Sequence, residues 1–110
     1  MKAHDPIPPG TLDMLVLSTL ARLGERHGFE IAEAIEAASA DVLRVEEGSL
    51  YPALQRMLIQ DWVTAAWGRT AENRRARYYR LTAFGRRQLD KELDAYRRVA
   101  DAFDRILQRA

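Results

Sequence analysis

VTAAWGRTAENRRARYYRL, residues 63–81, is two β-prone runs around a polar middle. Val63-Thr64-Ala65-Ala66-Trp67 and Arg77-Tyr78-Tyr79-Arg80-Leu81 are rich in β-branched and aromatic residues, which fit a pleated, half-buried surface. Gly68 and Asn73 between them supply turn chemistry, so the segment predicts a β-hairpin. Arg69, Arg74, Arg75 and Arg77 fall in or beside its tip. Tyr78 and Tyr79 are adjacent in a strand, so they face opposite ways and one of them belongs to the core.

Three helical patterns precede the hairpin. Leu12, Leu15, Val16, Leu20 and Leu23 recur at helical spacing and predict a first helix over about 11–23, ending near Gly24. After a break at His27-Gly28, Ile31, Ala34, Ile35 and Ala38 predict a second over about 28–39. Val42-Leu43-Arg44-Val45 reads as a brief strand. The third helix is expected to start at Ser49, whose hydroxyl can cap it, with Pro52 among the first helical positions where no N–H is needed. Leu50, Ala53, Leu54 and Met57 share its inner face; Pro52, Gln55, Arg56 and Ile59 lie opposite, with Tyr51 on the flank. Pro6, Pro8 and Pro9 make residues 1–9 an extended arm. Three helices and a basic hairpin predict a mainly α winged helix-turn-helix over 10–81.

Residues 82–110 read as one long helix capped by Thr82. Leu89, Leu93, Tyr96, Ala100, Phe103 and Leu107 are spaced alternately four and three apart, the a/d seam of a coiled coil. Such a helix spans about 40 Å at ~1.5 Å per residue. A domain this small cannot easily bury the whole stripe, so the seam predicts a homodimer; the plainer alternative is that it packs on its own domain.

Composition narrows the function. The 110 residues are 47% hydrophobic and 30% charged, as in an ordinary globular domain, and contain no cysteine. A disulfide scaffold, a cysteine zinc cluster and a cysteine nucleophile are excluded. With two histidines, no convergent carboxylates and no GxGxxG or Walker pattern, the sequence points to no enzyme, metal or cofactor. No run reaches the roughly 18 apolar residues of a membrane helix, and MKAHDPIPPG is unlike a signal peptide, so a cytoplasmic protein with no membrane partner is expected. The net charge of +1 conceals a partition: residues 68–87 carry seven arginines against Glu72, whereas residues 1–67 carry five basic and ten acidic side chains. The basic segment is either a solvated face or a dock for a polyanion.

GTLDMLVLSTLA (10–21), HGFEIAEAIE (27–36), VLRVEEGSLYPALQRM (42–57) and ENRRARYYRLTAFGRRQL (72–89) resemble the PadR family of bacterial transcriptional regulators, in the family's order. The length resembles its short branch, in which the last helix mainly serves dimerisation. The resemblance implies a homodimer that binds an operator in double-stranded DNA, usually as a repressor, and is commonly released by a small molecule; dimer symmetry then predicts an inverted-repeat operator. It places Ser49, Tyr51, Pro52, Gln55 and Arg56 on the recognition helix and Arg74, Arg75 and Arg77 on the wing.

In that reading Gln55 reads adenine and Arg56 reads guanine or grips phosphate. Pro52 touches a thymine methyl, and Ser49 and Tyr51 anchor phosphates, unless Tyr51 simply packs on a neighbouring helix. The wing arginines hold the backbone or enter a narrow minor groove. Tyr96 is either a seam residue or the wall of a pore for a small aromatic effector. Two positions depart from the family pattern, Leu58 and Asp61, and they predict a distorted or longer end to the third helix and more exposed apolar surface there. The competing function is a winged-helix protein-docking module without DNA binding, against which the arginine-rich wing argues.

Overall fold

A computed structural model describes residues 4–108. The chain runs β1 (Asp5–Pro6), α1 (Leu12–Leu23), β2 (Arg26–His27), α2 (Gly28–Ala38), β3 (Leu43–Arg44), α3 (Glu47–Ile59), β4 (Val63–Arg69), β5 (Arg75–Leu81) and α4 (Ala83–Leu107). The first two helices end close to where their apolar spacing predicts. The α1 helix buries Val16, Leu17 and Leu20 and stops at Gly24, whose φ of 80° is left-handed. The α2 helix opens with a reciprocal cap. His27 Nδ1 accepts the Glu30 N–H at 3.4 Å, and the Glu30 carboxylate accepts the His27 N–H at 3.2 Å.

The start of α3 corrects the sequence expectation. The helix begins at Glu47, so Ser49 lies inside the first turn and is not the cap; Glu46 occupies the cap position without a side-chain bond. Pro52 is therefore interior, and its ring removes the hydrogen bond that would reach back to the Gly48 carbonyl. The helix persists because Leu50, Ala53, Leu54 and Met57 are all buried, and packing outweighs a missing backbone bond.

Its far end is also regular, neither distorted nor extended. Trp62 N–H reaches the Met57 carbonyl at 2.9 Å and Asp61 N–H the Leu58 carbonyl at 3.1 Å, the paired closure of a Schellman motif. Asp61 takes the left-handed position usually given to glycine, with φ 62°. Leu58 packs against the core, so only Ile59 of the expected apolar pair stays strongly exposed, at 71%.

The hairpin is longer than its apolar runs suggest, because the ladder continues through Gly68, Arg69, Arg75 and Ala76. Val63 pairs with Leu81 at the root and Arg69 with Arg75 at the tip. The turn closes through Thr70 N–H to the Arg74 carbonyl at 2.8 Å, with Asn73 left-handed at φ 63°. Strand β2 joins the other edge of β5, giving a three-stranded antiparallel sheet in the order β2-β5-β4. Tyr79 is the buried member of the tyrosine pair. The described part of the arm is tied down where β1 pairs in parallel with β3; residues 1–3 of the expected arm and 109–110 of the expected last helix lie outside the described residues.

At the root of the wing, the first turn of α4 passes the backbone of Trp62, the residue before β4, at contact distance. The Thr82 hydroxyl accepts the Gly85 N–H at 2.9 Å and lies 2.7 Å from the Asp61 carbonyl and 3.0 Å from that of Trp62. A Cβ on Gly85 would overlap the Trp62 carbonyl oxygen, which is backbone and cannot swing aside. Gly85→Ala should therefore destabilise the fold by about 3 kcal/mol, read in thermal melts by circular dichroism. Asp61→Gly should do the opposite, raising stability by about 0.5–1 kcal/mol, because glycine relieves the left-handed strain at the end of α3 and loses some of that gain to chain entropy.

Candidate nucleic-acid interface

Burial of four apolar side chains turns the opposite face of α3 outward, and Ser49, Tyr51, Pro52, Gln55 and Arg56 are all exposed. Two grooves flank this face. The larger, about 840 Å³, runs between Tyr51, the start of α2 at Gly28 and Phe29, and the wing residues Trp67, Arg74, Arg75 and Arg77. The smaller, about 420 Å³, lies between Ser49, Pro52 and Arg56 and the proline arm, with Arg44 on its wall. The fold thus brings the predicted wing arginines beside Tyr51, and Ser49, Pro52 and Arg56 beside the arm. Gln55 lies on the exposed ridge and lines neither groove.

Two predicted site residues carry partners that their own helix does not reveal. Tyr51 has its ring against α2: a Cβ on Gly28 would lie 2.7 Å from both a ring carbon and the phenol oxygen. The ring therefore packs on a neighbouring helix, as one of the two expectations for Tyr51 had it, while the side chain stays partly open to solvent. Burial, followed by the nearby Glu47 carboxylate and Tyr79, pushes its phenol above the ordinary value of 10.0. Arg56 Nη2 donates to Asp13 Oδ1 of α1 at 2.9 Å. Exposed ion pairs of this kind contribute about 1 kcal/mol or less, and here the guanidinium is the more open partner.

On the wing, Arg69 turns back to donate to the Asn73 carbonyl at 3.1 Å and serves the tip. Arg80 reaches Glu25 at 3.7 Å. Arg74, Arg75 and Arg77 are exposed and line the larger groove.

The α4 seam divides. Leu89 is only 4% exposed and belongs to the protomer's own core, which corrects its place in the seam, and Leu93 packs against that core. Beyond them the helix overhangs: Tyr96, Phe103 and Leu107 are 52%, 61% and 71% exposed, and Ala100 is half-buried. Val99 and Ile106 widen the exposed stripe. The heptad count missed both, although they stand three residues after Tyr96 and Phe103 and could have been read as a second apolar row. Asp13 and Phe29, which meet Arg56 and the larger groove, were likewise missed and left no signal in the sequence. No helix among the described residues is long and apolar enough to cross a membrane.

A helix presented outward beside an arginine-bearing hairpin, on a three-helix core, defines a winged helix-turn-helix regulator. The chain matches the transcriptional regulator PadR-like family over residues 16–91 and belongs to it. A PadR family transcriptional regulator from Eggerthella lenta is 26% identical, covers 92% of this chain and 85% of its own, and superposes with a TM-score of 0.75. The smu.1704 protein of Streptococcus mutans, 20% identical, matches over 97% and 95% of the two chains with a TM-score of 0.82. A transcriptional regulator from Clostridium thermocellum, 23% identical, matches over 87% and 92% at 0.78.

The raised Tyr51 phenol has a measurable sign. Its folded pKa lies above the unfolded one, so its contribution to stability is complete below pH 10.0 and is lost as pH climbs through the folded value. In a titration followed at 295 nm, Tyr51→Phe should remove one phenol that ionises above pH 10.0.

Proposed function

We propose that the protein is a homodimeric, sequence-specific double-stranded DNA-binding regulator that represses by occupying an inverted-repeat operator. The observation that carries this reading is the larger groove, where Tyr51 at the edge of the exposed α3 face lines one surface with Arg74, Arg75 and Arg77 of the wing, which have no carboxylate partner among the described residues. A major groove about 12 Å wide admits α3, with Gln55 at a base edge, Pro52 at a thymine methyl, and Ser49 and Tyr51 at phosphates. Arg56 exchanges Asp13 for a guanine or a phosphate. Arg74, Arg75 and Arg77 hold the adjoining backbone or minor groove.

Residues 10–81 act as the DNA-binding unit, 82–110 as the dimerisation helix and 1–9 as an arm. The overhanging stripe of Tyr96, Val99, Phe103, Ile106 and Leu107 supports a second copy as partner, since exposed apolar patches of this kind mark interfaces. A small planar aromatic effector bound beside Tyr96, between two crossing α4 helices, would release the DNA by changing how the subunits sit. Titration of such compounds against Trp62 and Trp67 fluorescence tests that binding, and a saturable change is expected.

Selection of duplexes from a random pool tests the whole reading: two inverted half-sites about one helical turn apart are expected, and no enrichment would defeat it. Gln55→Ala should cost about 1–3 kcal/mol at one base-pair position and relax preference there alone. Phe103→Glu should convert the dimer to a monomer in sedimentation velocity while leaving the melting temperature nearly unchanged, because the ring is exposed in the protomer.

A further inference from the structure

The wing has two faces that alternate along its strands. The face carrying Val63, Ala65, Tyr79 and Leu81 enters the core at the root. Continued toward the tip, the same face carries Trp67 opposite Arg77, with Arg75 one diagonal step away. Trp67 is beyond the core and 60% exposed. Its ring is nevertheless occupied, with Arg75 Cζ 4.3 Å from the centroid and Arg77 Cζ at 6.0 Å. Both distances lie within the roughly 6 Å reach of a cation–π contact.

Arg87 likewise sits over an aromatic face, that of Phe84 at 5.5 Å, but three other arginines are held by carboxylates. Arg56 is held by Asp13, Arg44 by Glu46 and Arg80 by Glu25. Neither Arg75 nor Arg77 has a carboxylate partner among the described residues. The difference has a physical consequence. A carboxylate orients a guanidinium but cancels its charge toward an incoming phosphate. An indole face orients it and leaves the full charge outward.

We propose that Trp67 is a positioning residue for DNA binding: its ring face orders the guanidinium groups of Arg75 and Arg77 on the wing before contact, with their charge intact. The inference rests on the DNA-binding reading above and extends it from the arginines to the residue that arranges them. Ordering two long side chains in advance removes rotamer entropy that would otherwise be lost on binding. The turn below supports the same end. Arg69 donates to the Asn73 carbonyl at 3.1 Å, and the Tyr78 hydroxyl donates to the Arg69 carbonyl at 3.1 Å, so the tip that carries the stack is itself tied.

The test uses the full chain and a fluorescein-labelled mixed-sequence duplex of about 30 base pairs at low salt, where phosphate contacts dominate affinity. Trp67→Leu keeps apolar bulk on an exposed position but has no π face, and Trp67→Phe keeps a smaller one. Trp67→Leu should weaken binding about five- to tenfold with an unchanged melt, and Trp67→Phe should recover most of the loss. In an Arg75→Ala/Arg77→Ala background, Trp67→Leu should change nothing further. The proposal is overturned if Trp67→Leu binds within about twofold of the wild type, or loses the same factor whether or not the two arginines are present. A wild-type chain that ignores the duplex even at low salt would instead defeat the DNA-binding reading itself, a result distinct from either.

Discussion

The arrangement of this molecule depends on one close approach of backbone to backbone, where Gly85 in the first turn of α4 passes the Trp62 carbonyl at the root of the wing. Only a residue without a Cβ fits there. Thr82 completes the junction, with its N–H on the Trp62 carbonyl at 3.0 Å and its hydroxyl on the Gly85 N–H at 2.9 Å. The contact sets the direction in which α4 leaves the domain. A turn later Leu89 enters the core, and the axis of the helix is settled. The proposed DNA surface and the proposed dimer surface are thereby fixed relative to each other by a rigid corner, not a linker. A rigid corner is what an operator of defined half-site spacing requires.

Helix α3 shows how local preferences yield where a surface has work to perform. It lacks a side-chain cap, has a proline inside and ends on a left-handed aspartate. Each of these features opposes a helix, by about 0.5–3 kcal/mol in general experience. Four buried side chains and an orderly C-terminal closure keep it formed. Such violations of local rules concentrate at functional surfaces. Pro52 stands on the outward face beside Ser49 and Arg56, which fits a position kept for contact and not for helix formation.

The regular alternation of the wing explains why one hairpin can serve two environments. Near the root its inner face is apolar and buried; near the tip the same face carries an aromatic ring and two cations. The transition falls between Ala65, which packs against the core, and Trp67, which is exposed, one step of the pleat. Tyr78, on the other face, packs edge-on to the His27 ring at 5.3 Å and ties the wing to the cap of α2.

Elements with a period were legible in the amino-acid sequence. The apolar faces of α1, α2 and α3, the hairpin, the long α4 and the clustering of arginines all follow from spacings of two, three or four residues, because these are properties of a single element. The boundaries of α3 were not legible. Whether Glu47 or Ser49 starts it depends on which apolar side chains the core accepts, and no cap announces the choice. Tertiary structure alone decided the partners of Tyr51 and Arg56, since Gly28 and Asp13 lie on other helices and meet them only at the packing angles adopted. It also decided the fate of the α4 seam. A heptad pattern states that one stripe is apolar, but whether Leu89 faces its own core while Phe103 faces outward is set by where the rest of the domain ends.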